Sequence, residues 1–579
     1  MTSFSSEAAV RGSPSGAQDG LLLADVSRGA QWVLSMLVLL IGATGVALHV
    51  LAMQPPTLPE GPALETAVCG ELLASGQGLR TRAIHPLTIG LGLGSSSQPM
   101  LTQGPVVPAL LSAYFRVRGQ SDIAVRLCST VALWVCLIGV VILGARLYDL
   151  RAGLVAGALL AVNPFVADLA VSGDPSLWAA AWFLLALAIA LRPGEGDPQR
   201  AVTGVEPPVE GRLGTVVRAF AAGLCMGLCY LSDLQTLPLL LVLAIPVWQR
   251  ATANRRLSLA LLALGFAALA VPWWIRNALV TGDVFFSLPR YTAFFGSPAY
   301  PSSTVLGRAT DPGSPYLFLL THPRHLFQLL VSHTWGLAVR APALLGVIVL
   351  PLAFASLFVR SESSRERAVR SGALLGLCLL ALWTLPSAPN PTTYLAVLPL
   401  LIVQAALLLL RLLAGQTRTR RVAIACAIAL VSVSPIGARR LGGASPMPAP
   451  SAVALAETGT KVPEETVLLT ATPGQGAWYA KRTSVSLPVG AQDLRATLAL
   501  IGDRPVALFV SRDVLLMARS AGARFYQGLL MGPGPSPGLQ EVHLETRAGR
   551  LFLITEPEAI YDMPARGPTG GVERGSPGG

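Results

Sequence analysis

Apolar residues in this chain fall in long unbroken blocks. Eleven blocks approach the roughly 20 residues that carry a helix across a bilayer core. They are Trp32–Met53, Ala124–Leu147, Ala152–Val171, Leu177–Leu191, Val216–Leu231, Leu237–Trp248, Leu257–Trp274, Ala341–Val359, Ser371–Leu385, Tyr394–Leu413 and Val422–Ile436. Two long polar stretches interrupt them, residues 54–122 and 276–335. The first holds Glu60, Glu65, Glu71, Arg80, Arg82 and His85, with apolar pieces Ile89–Leu93 and Val106–Val117 that are too short to cross. The second is rich in Pro, Gly and aromatics, among them Phe285, Phe286, Tyr291, Phe294 and Phe295, as in the aromatic belts of headgroup zones. From about Gly443 the blocks shorten. Thr466–Ala471 and Val506–Val510 predict buried strands, Asp493–Leu500 and Val514–Ser520 predict helices, and Glu541–Glu545 with Leu551–Thr555 predict a closing strand pair.

The expected architecture is a polytopic α-helical membrane protein with a small C-terminal α/β domain. Residues 1–31 read as a cytoplasmic, unstructured N-terminus, 32–442 as the transmembrane domain, 443–563 as the α/β domain and 564–579 as a disordered tail.

Composition agrees: the 579 residues are 52% hydrophobic and only 13% charged, about half the charge of a soluble domain. The net charge of +12 does not point to nucleic acid. With the N-terminus in the cytoplasm, the excess arginine falls in inner loops, such as Arg146 with Arg151, Arg250 with Arg255 and Arg256, and Arg411 with Arg418, Arg420 and Arg421. The opposite short loops carry Asp168, Asp174 and Asp233, so the two long stretches and the C-terminal domain face outward. Six of the seven cysteines sit in apolar blocks and none forms a metal-type pair; Cys225 and Cys229, one helical turn apart, read as packing residues.

Three passages carry a family resemblance. The first runs from Ala63 to Asp149 and includes Glu71-Leu72-Leu73-Ala74-Ser75-Gly76, Gln98-Pro99-Met100-Leu101, Gly119 and Ala124-Val125-Arg126-Leu127, with Asn163-Pro164-Phe165 beyond it. The second is Val271-Pro272-Trp273-Trp274-Ile275-Arg276-Asn277, followed by Gly282. The third is Ala477-Trp478-Tyr479 with Arg482 and Leu487-Pro488. Together they resemble the GT-C type polyprenyl-phosphate-sugar-dependent glycosyltransferases, in the family 39 branch of protein mannosyltransferases and aminoarabinose transferases. The resemblance implies a bacterial inner-membrane enzyme with its C-terminal domain in the periplasm. Its partners would be a polyprenyl-phosphate-linked sugar, membrane lipids and a lipid, glycan or protein acceptor. The family's adjacent Asp-Glu pair is absent; Glu60 and Glu65 flank its expected place at Gly61-Pro62.

Such a transfer needs a base for the acceptor hydroxyl and a group to stabilise the departing phosphate. One carboxylate suffices for inverting single displacement. Glu60 and Glu65 are the candidate bases, against a reading as solvated residues opening a helix. Asp174, in Ser172-Gly173-Asp174-Pro175, is a third catalytic candidate or a helix cap. Arg276 is the candidate phosphate ligand, against snorkelling at a span end, and Asn277 stands beside it or ties the loop. Arg80, Arg82, Arg290 and Arg308 read individually as surface charges, and His322 with His325 as a helix face. No metal ligands are assigned, and a divalent metal ion stays open as a cofactor. The alternative function is a catalytically lapsed relative that serves as a scaffold or lipid-binding component of envelope glycan assembly. A transporter would show paired broken helices or a midplane charge; neither stands out in the sequence, and the large outer loops argue against it.

Overall fold

A computed structural model describes residues 15–191, 212–250, 255–301, 304–359, 364–384, 390–441, 449–512, 521–532, 538–546 and 548–557. The expected helix Val514–Ser520, the boundary near Gly443 and the tail from 564 lie outside these residues.

Three described helices are long and apolar enough to cross a membrane: Trp32–Leu51, Asp122–Leu147 and Arg255–Thr281. Two bent pairs bring that number to five if each is one span. Five shorter apolar helices stand beside them, so the eleven expected runs do not map one to one onto long helices. The first helix starts at Ser15, so much of the N-terminal stretch expected to be unstructured is helical.

The block Ala152–Val171 is two helices, Leu150–Ala161 and Pro164–Ser172, bent by 63°. The cause is local. Pro164 has no N–H to continue the first helix, and the Asn163 side chain accepts from the backbone N–H of Phe165 and Val166 at 3.0 and 3.2 Å, restarting the chain as a capped helix. The helix Asp122–Leu147 packs closely on this pair: a Cβ on Gly144 would lie 2.6 Å from the Gly153 Cα. Small residues permit such backbone approach inside membranes.

The first outer stretch folds as a helix, Pro62–Ala74, then β1 (Arg80–Thr81), β2 (Ala83–Ile84), a short helix Pro86–Gly90, β3 (Gln98–Pro99) and a helix Val106–Arg118. β1 pairs antiparallel with β3. The C-terminal part supplies β4 (Val467–Thr470), β5 (Thr483–Ser486), β6 (Val506–Ser511), β7 (Leu539–Val542) and β8 (Gly549–Ile554). They form one sheet of order β2-β5-β4-β6-β8-β7. The first four strands are parallel, and β8 and β7 close the far edge antiparallel. β2 belongs to the first outer stretch, with Ala83 opposite Ser484 and Ile84 opposite Val485. The C-terminal sheet is therefore completed by residues nearly 400 positions upstream.

A polar clasp reinforces that join. The Asp122 carboxylate accepts from Trp478 Nε1 at 2.7 Å and from Tyr479 Oη at 2.8 Å. The Tyr479 oxygen in turn accepts from the Leu58 N–H. Buried Glu71 pairs with Arg82 at 3.2 Å and Lys481 at 2.9 Å. Arg126, buried in its helix, donates to the carbonyls of Pro55, Pro56 and Thr57 and fixes where the first outer stretch leaves the membrane.

Candidate active site

The site is organised by the segment Gln98–Gly104. Gly104 lies against the end of helix Arg212–Ser232: a Cβ there would fall 1.8 Å from the Leu231 carbonyl oxygen, so only glycine fits. Two residues earlier, the Thr102 hydroxyl donates to Met100 Sδ at 3.7 Å and interacts with the Glu65 carboxyl, lowering its proton affinity. Another two residues back, the Met100 carbonyl accepts from Arg276 Nη1 at 2.9 Å. One strand of chain thus ties the loop helix bearing Glu65 to the two membrane helices behind it.

Glu65 lies in the first turn of the loop helix and is half-buried. Burial lifts its carboxyl above the usual carboxylate range, and the Thr102 hydrogen bond offsets part of that shift. Beyond Leu231 the chain turns at Asp233, whose carboxylate caps Gln235 N at 3.0 Å. Burial, with the neighbouring Asp174 charge as a smaller contribution, pushes Asp233 up to about 6. Asp174 sits in the turn after the left-handed Gly173, buried, with its carboxylate accepting from Ser176 N at 2.8 Å. Burial raises it too, against hydrogen bonds from Ser176.

The two Asp turns are held together by the short helix Pro391–Ala396. Thr392 accepts from Ser176 Oγ at 2.9 Å, and Thr393 donates to Gln235 Oε1 at 2.7 Å. Threonines here keep neutral hydrogen bonds beside two acids.

Glu60 is placed elsewhere. Its two carboxylate oxygens accept from Gly474 N at 2.7 Å and Gln475 N at 2.8 Å, at the start of helix Pro473–Tyr479. A carboxylate matches the positive end of a helix, and both oxygens are engaged in the clasp. Arg276 also spends its donors on structure: besides Met100 it reaches the Leu79 carbonyl at 3.4 Å and Asn277 Oδ1 at 3.0 Å, and it stacks on Trp273 at 4.6 Å. Asn277 is buried, with Nδ2 3.5 Å from the Phe286 carbonyl, and ties the second outer stretch to its helix. Of the five predicted site residues, Glu65 and Asp174 flank the segment and its neighbouring turns, Arg276 and Asn277 brace them, and Glu60 stands in the clasp. Asp233, read in the sequence only as an outer-loop charge, lies close enough to Asp174 to feel its charge. Its signal was a lone acid between two apolar blocks.

An apolar cavity of about 330 Å³ opens beside these turns and is lined by Leu234 and Gln235, the residues after Asp233, together with Leu237, Leu382 and Trp383. Among the described residues no three His, Cys, Asp or Glu side chains gather as a metal-ligand group.

Residues 100–200 match the protein-family profile described as dolichyl-phosphate-mannose-protein mannosyltransferase. The structure is similar to ArnT from Cupriavidus metallidurans, solved bound to undecaprenyl phosphate, with a TM-score of 0.54 at 14% identity over 90% of this chain and 98% of that one. This chain has the ArnT fold. It is also similar to the archaeal oligosaccharyltransferase AglB from Archaeoglobus fulgidus, solved with an inhibitory peptide and a dolichol-phosphate, with a TM-score of 0.52 at 13% identity over 91% of this chain and 75% of that one. No curated protein matches the chain in sequence. The profile match covers the central segment Met100–Gly104 and Asp174, while Glu65, Asp233 and Arg276 lie outside it.

Proposed function

We propose that this chain is a membrane glycosyltransferase. It moves a sugar from a polyprenyl-phosphate donor to a lipid, glycan or protein acceptor on the outer, periplasmic face of a bacterial inner membrane. The observation that carries the reading is Glu65: a carboxylate with raised proton affinity that interacts with Thr102 in the family-matching segment, with two more acids of raised proton affinity, Asp174 and Asp233, in nearby turns and an apolar cavity next to Asp233. The similar folds of ArnT and AglB, solved with undecaprenyl phosphate and dolichol-phosphate, support the donor class.

In this reading Glu65 takes the proton of the acceptor hydroxyl as its oxygen attacks the anomeric carbon. The bond from that carbon to the phosphate oxygen breaks in the same step, and the polyprenyl phosphate leaves with the electron pair. Configuration inverts, because no covalent intermediate forms. Asp174 and Asp233 orient acceptor hydroxyls, and Arg276 keeps the Met100–Thr102 backbone where it aims Glu65.

The test is transfer by purified protein from a panel of radiolabelled polyprenyl-phosphate sugars into membrane extract, with the product's anomeric configuration read by NMR. Transfer with inversion is expected. The scaffold reading, favoured by the diversion of Glu60 to the clasp, expects lipid to bind with no transfer from any donor.

A further inference from the structure

A cavity of about 810 Å³ lies in the C-terminal part, lined by β7 and the turn after it, the start of β8, Arg512 just past β6, and the end of helix Ala521–Met531. That volume is in the range of small-molecule sites. Sheet order keeps the cavity apart from the first outer stretch, because β7 is the edge opposite β2. Five strand spacings separate the two edges, about 24 Å. The cavity opens at the carboxyl end of β6, the last of the parallel strands, and open parallel sheets take their ligands at that end.

Its wall is fixed from behind by helix Pro450–Lys461, which holds the turn after β7 at two points. Lys461 Nζ donates to the His543 carbonyl at 2.7 Å. The Glu457 carboxylate accepts from Glu545 N at 2.6 Å and from Thr546 Oγ1 at 2.8 Å. Lys461 and Glu457 also pair with each other at 2.8 Å, so these two charges cancel.

The charge left in the cavity is positive. Arg550 grips Glu541 through Nε at 2.6 Å and through Nη2, and its Nη1 donates to the Leu529 and Gly532 carbonyls. That pair neutralises the acid of the lining. Arg512 is exposed, and among the described residues its guanidinium has no hydrogen-bond or ion-pair partner. His543, also exposed, stands close enough to Glu541 to favour its ionised form. Leu530, Met531, Val542 and Leu544 add apolar surface to the same cavity. An arginine fork suits the oxygens of a carboxylate or phosphate, and the apolar side chains gain by covering a hydrocarbon body.

We propose that this cavity is a second ligand site, which takes a small organic oxyanion with an apolar body. Arg512 is its anion-binding group and His543 a second donor. The charge balance and the apolar lining select this class, and the proposal does not rest on the transfer reaction above.

The test measures binding by full-length protein in nanodiscs, read by fluorine NMR of the ligand. The probes are 4-fluorophenyl phosphate, 4-fluorobenzoate and the neutral 4-fluorobenzyl alcohol, with inorganic phosphate as competitor. At least one of the two anions is expected to bind about ten-fold or more tightly than the alcohol, and the tighter one names the ligand class. Inorganic phosphate is expected to displace that probe about ten-fold more weakly than the unlabelled aryl anion does. Arg512→Gln is expected to erase the preference for the anion, and Arg512→Lys to keep part of it. Equal binding of anion and alcohol overturns the proposal, as does a preference that survives Arg512→Gln within about twofold. Inorganic phosphate as effective as the aryl anion overturns the ligand class. Should Arg512→Gln fail to fold, 4-azidophenyl phosphate on the unmodified protein decides: label in 530–531, 541–546 and 549–550 supports the site, and label confined elsewhere overturns it.

Discussion

Glu60 and Glu65 sit five residues apart and meet different partners. In the sequence they are equivalent candidates, since both flank the place of a missing acidic pair. What separates them is the partner each meets: backbone N–H groups 414 and 415 positions downstream for Glu60, and Thr102 in a desolvated turn for Glu65. Glu60→Gln is expected to lower the melting temperature by weakening a helix cap, on the order of 1 kcal/mol, with kcat preserved. Transfer by the wild type should show an acidic limb above the ordinary carboxylate range. The base must be ionised, and burial raises the Glu65 pKa, so activity is lost at a higher pH than for a solvated Glu as pH falls. Thr102→Val, which removes the offsetting hydrogen bond, should move that limb to still higher pH in a pH–kcat profile. Asp233 was the least legible residue, because a lone acid at a span end reads the same whether it faces solvent or a neighbouring acidic turn.

Elements were legible wherever composition alone defines them. The core strands β4 and β6 lie within a residue of their expected positions, and the helix expected at Asp493–Leu500 is Ala491–Ile501. The bend at Asn163-Pro164 was hidden inside an apolar block because the neighbouring residues are uniformly hydrophobic, although the two residues that cause it were noted as a motif. The Met100–Gly104 segment has no periodicity at all; its shape follows from the contact between Gly104 and the Leu231 carbonyl. Gly104→Ala is expected to destabilise the protein by about 1–3 kcal/mol and to displace Thr102 from Glu65. Its kcat should fall far more than its lipid affinity, a split that steady-state transfer and nanodisc binding measure separately.

At the scale of the whole molecule, the outer stretch and the C-terminal sheet fold as one body. β2 is two residues long and carries no alternation, so no sequence pattern announces that it extends a sheet begun beyond residue 460. His85 follows β2, its Nδ1 3.0 Å from Ser486 Oγ on β5, and burial lowers it to about 4. A histidine held neutral in the folded state contributes stability above its unfolded value near 6.5, and that contribution is lost as pH falls toward 4. The melting temperature should therefore drop across that window, and His85→Gln should flatten the dependence. Asp122→Asn, which weakens the acceptor of both Trp478 and Tyr479, should make the C-terminal part more readily cleaved in limited proteolysis.

The most direct test of the central claim compares sugar transfer by wild type, Glu65→Gln and Glu60→Gln in proteoliposomes holding one polyprenyl-phosphate sugar and its acceptor. The account expects Glu65→Gln to lose about 100-fold or more in kcat with donor binding intact, and Glu60→Gln to stay near wild type. Full transfer by Glu65→Gln, or its loss only in Glu60→Gln, would contradict the assignment of Glu65 as the base.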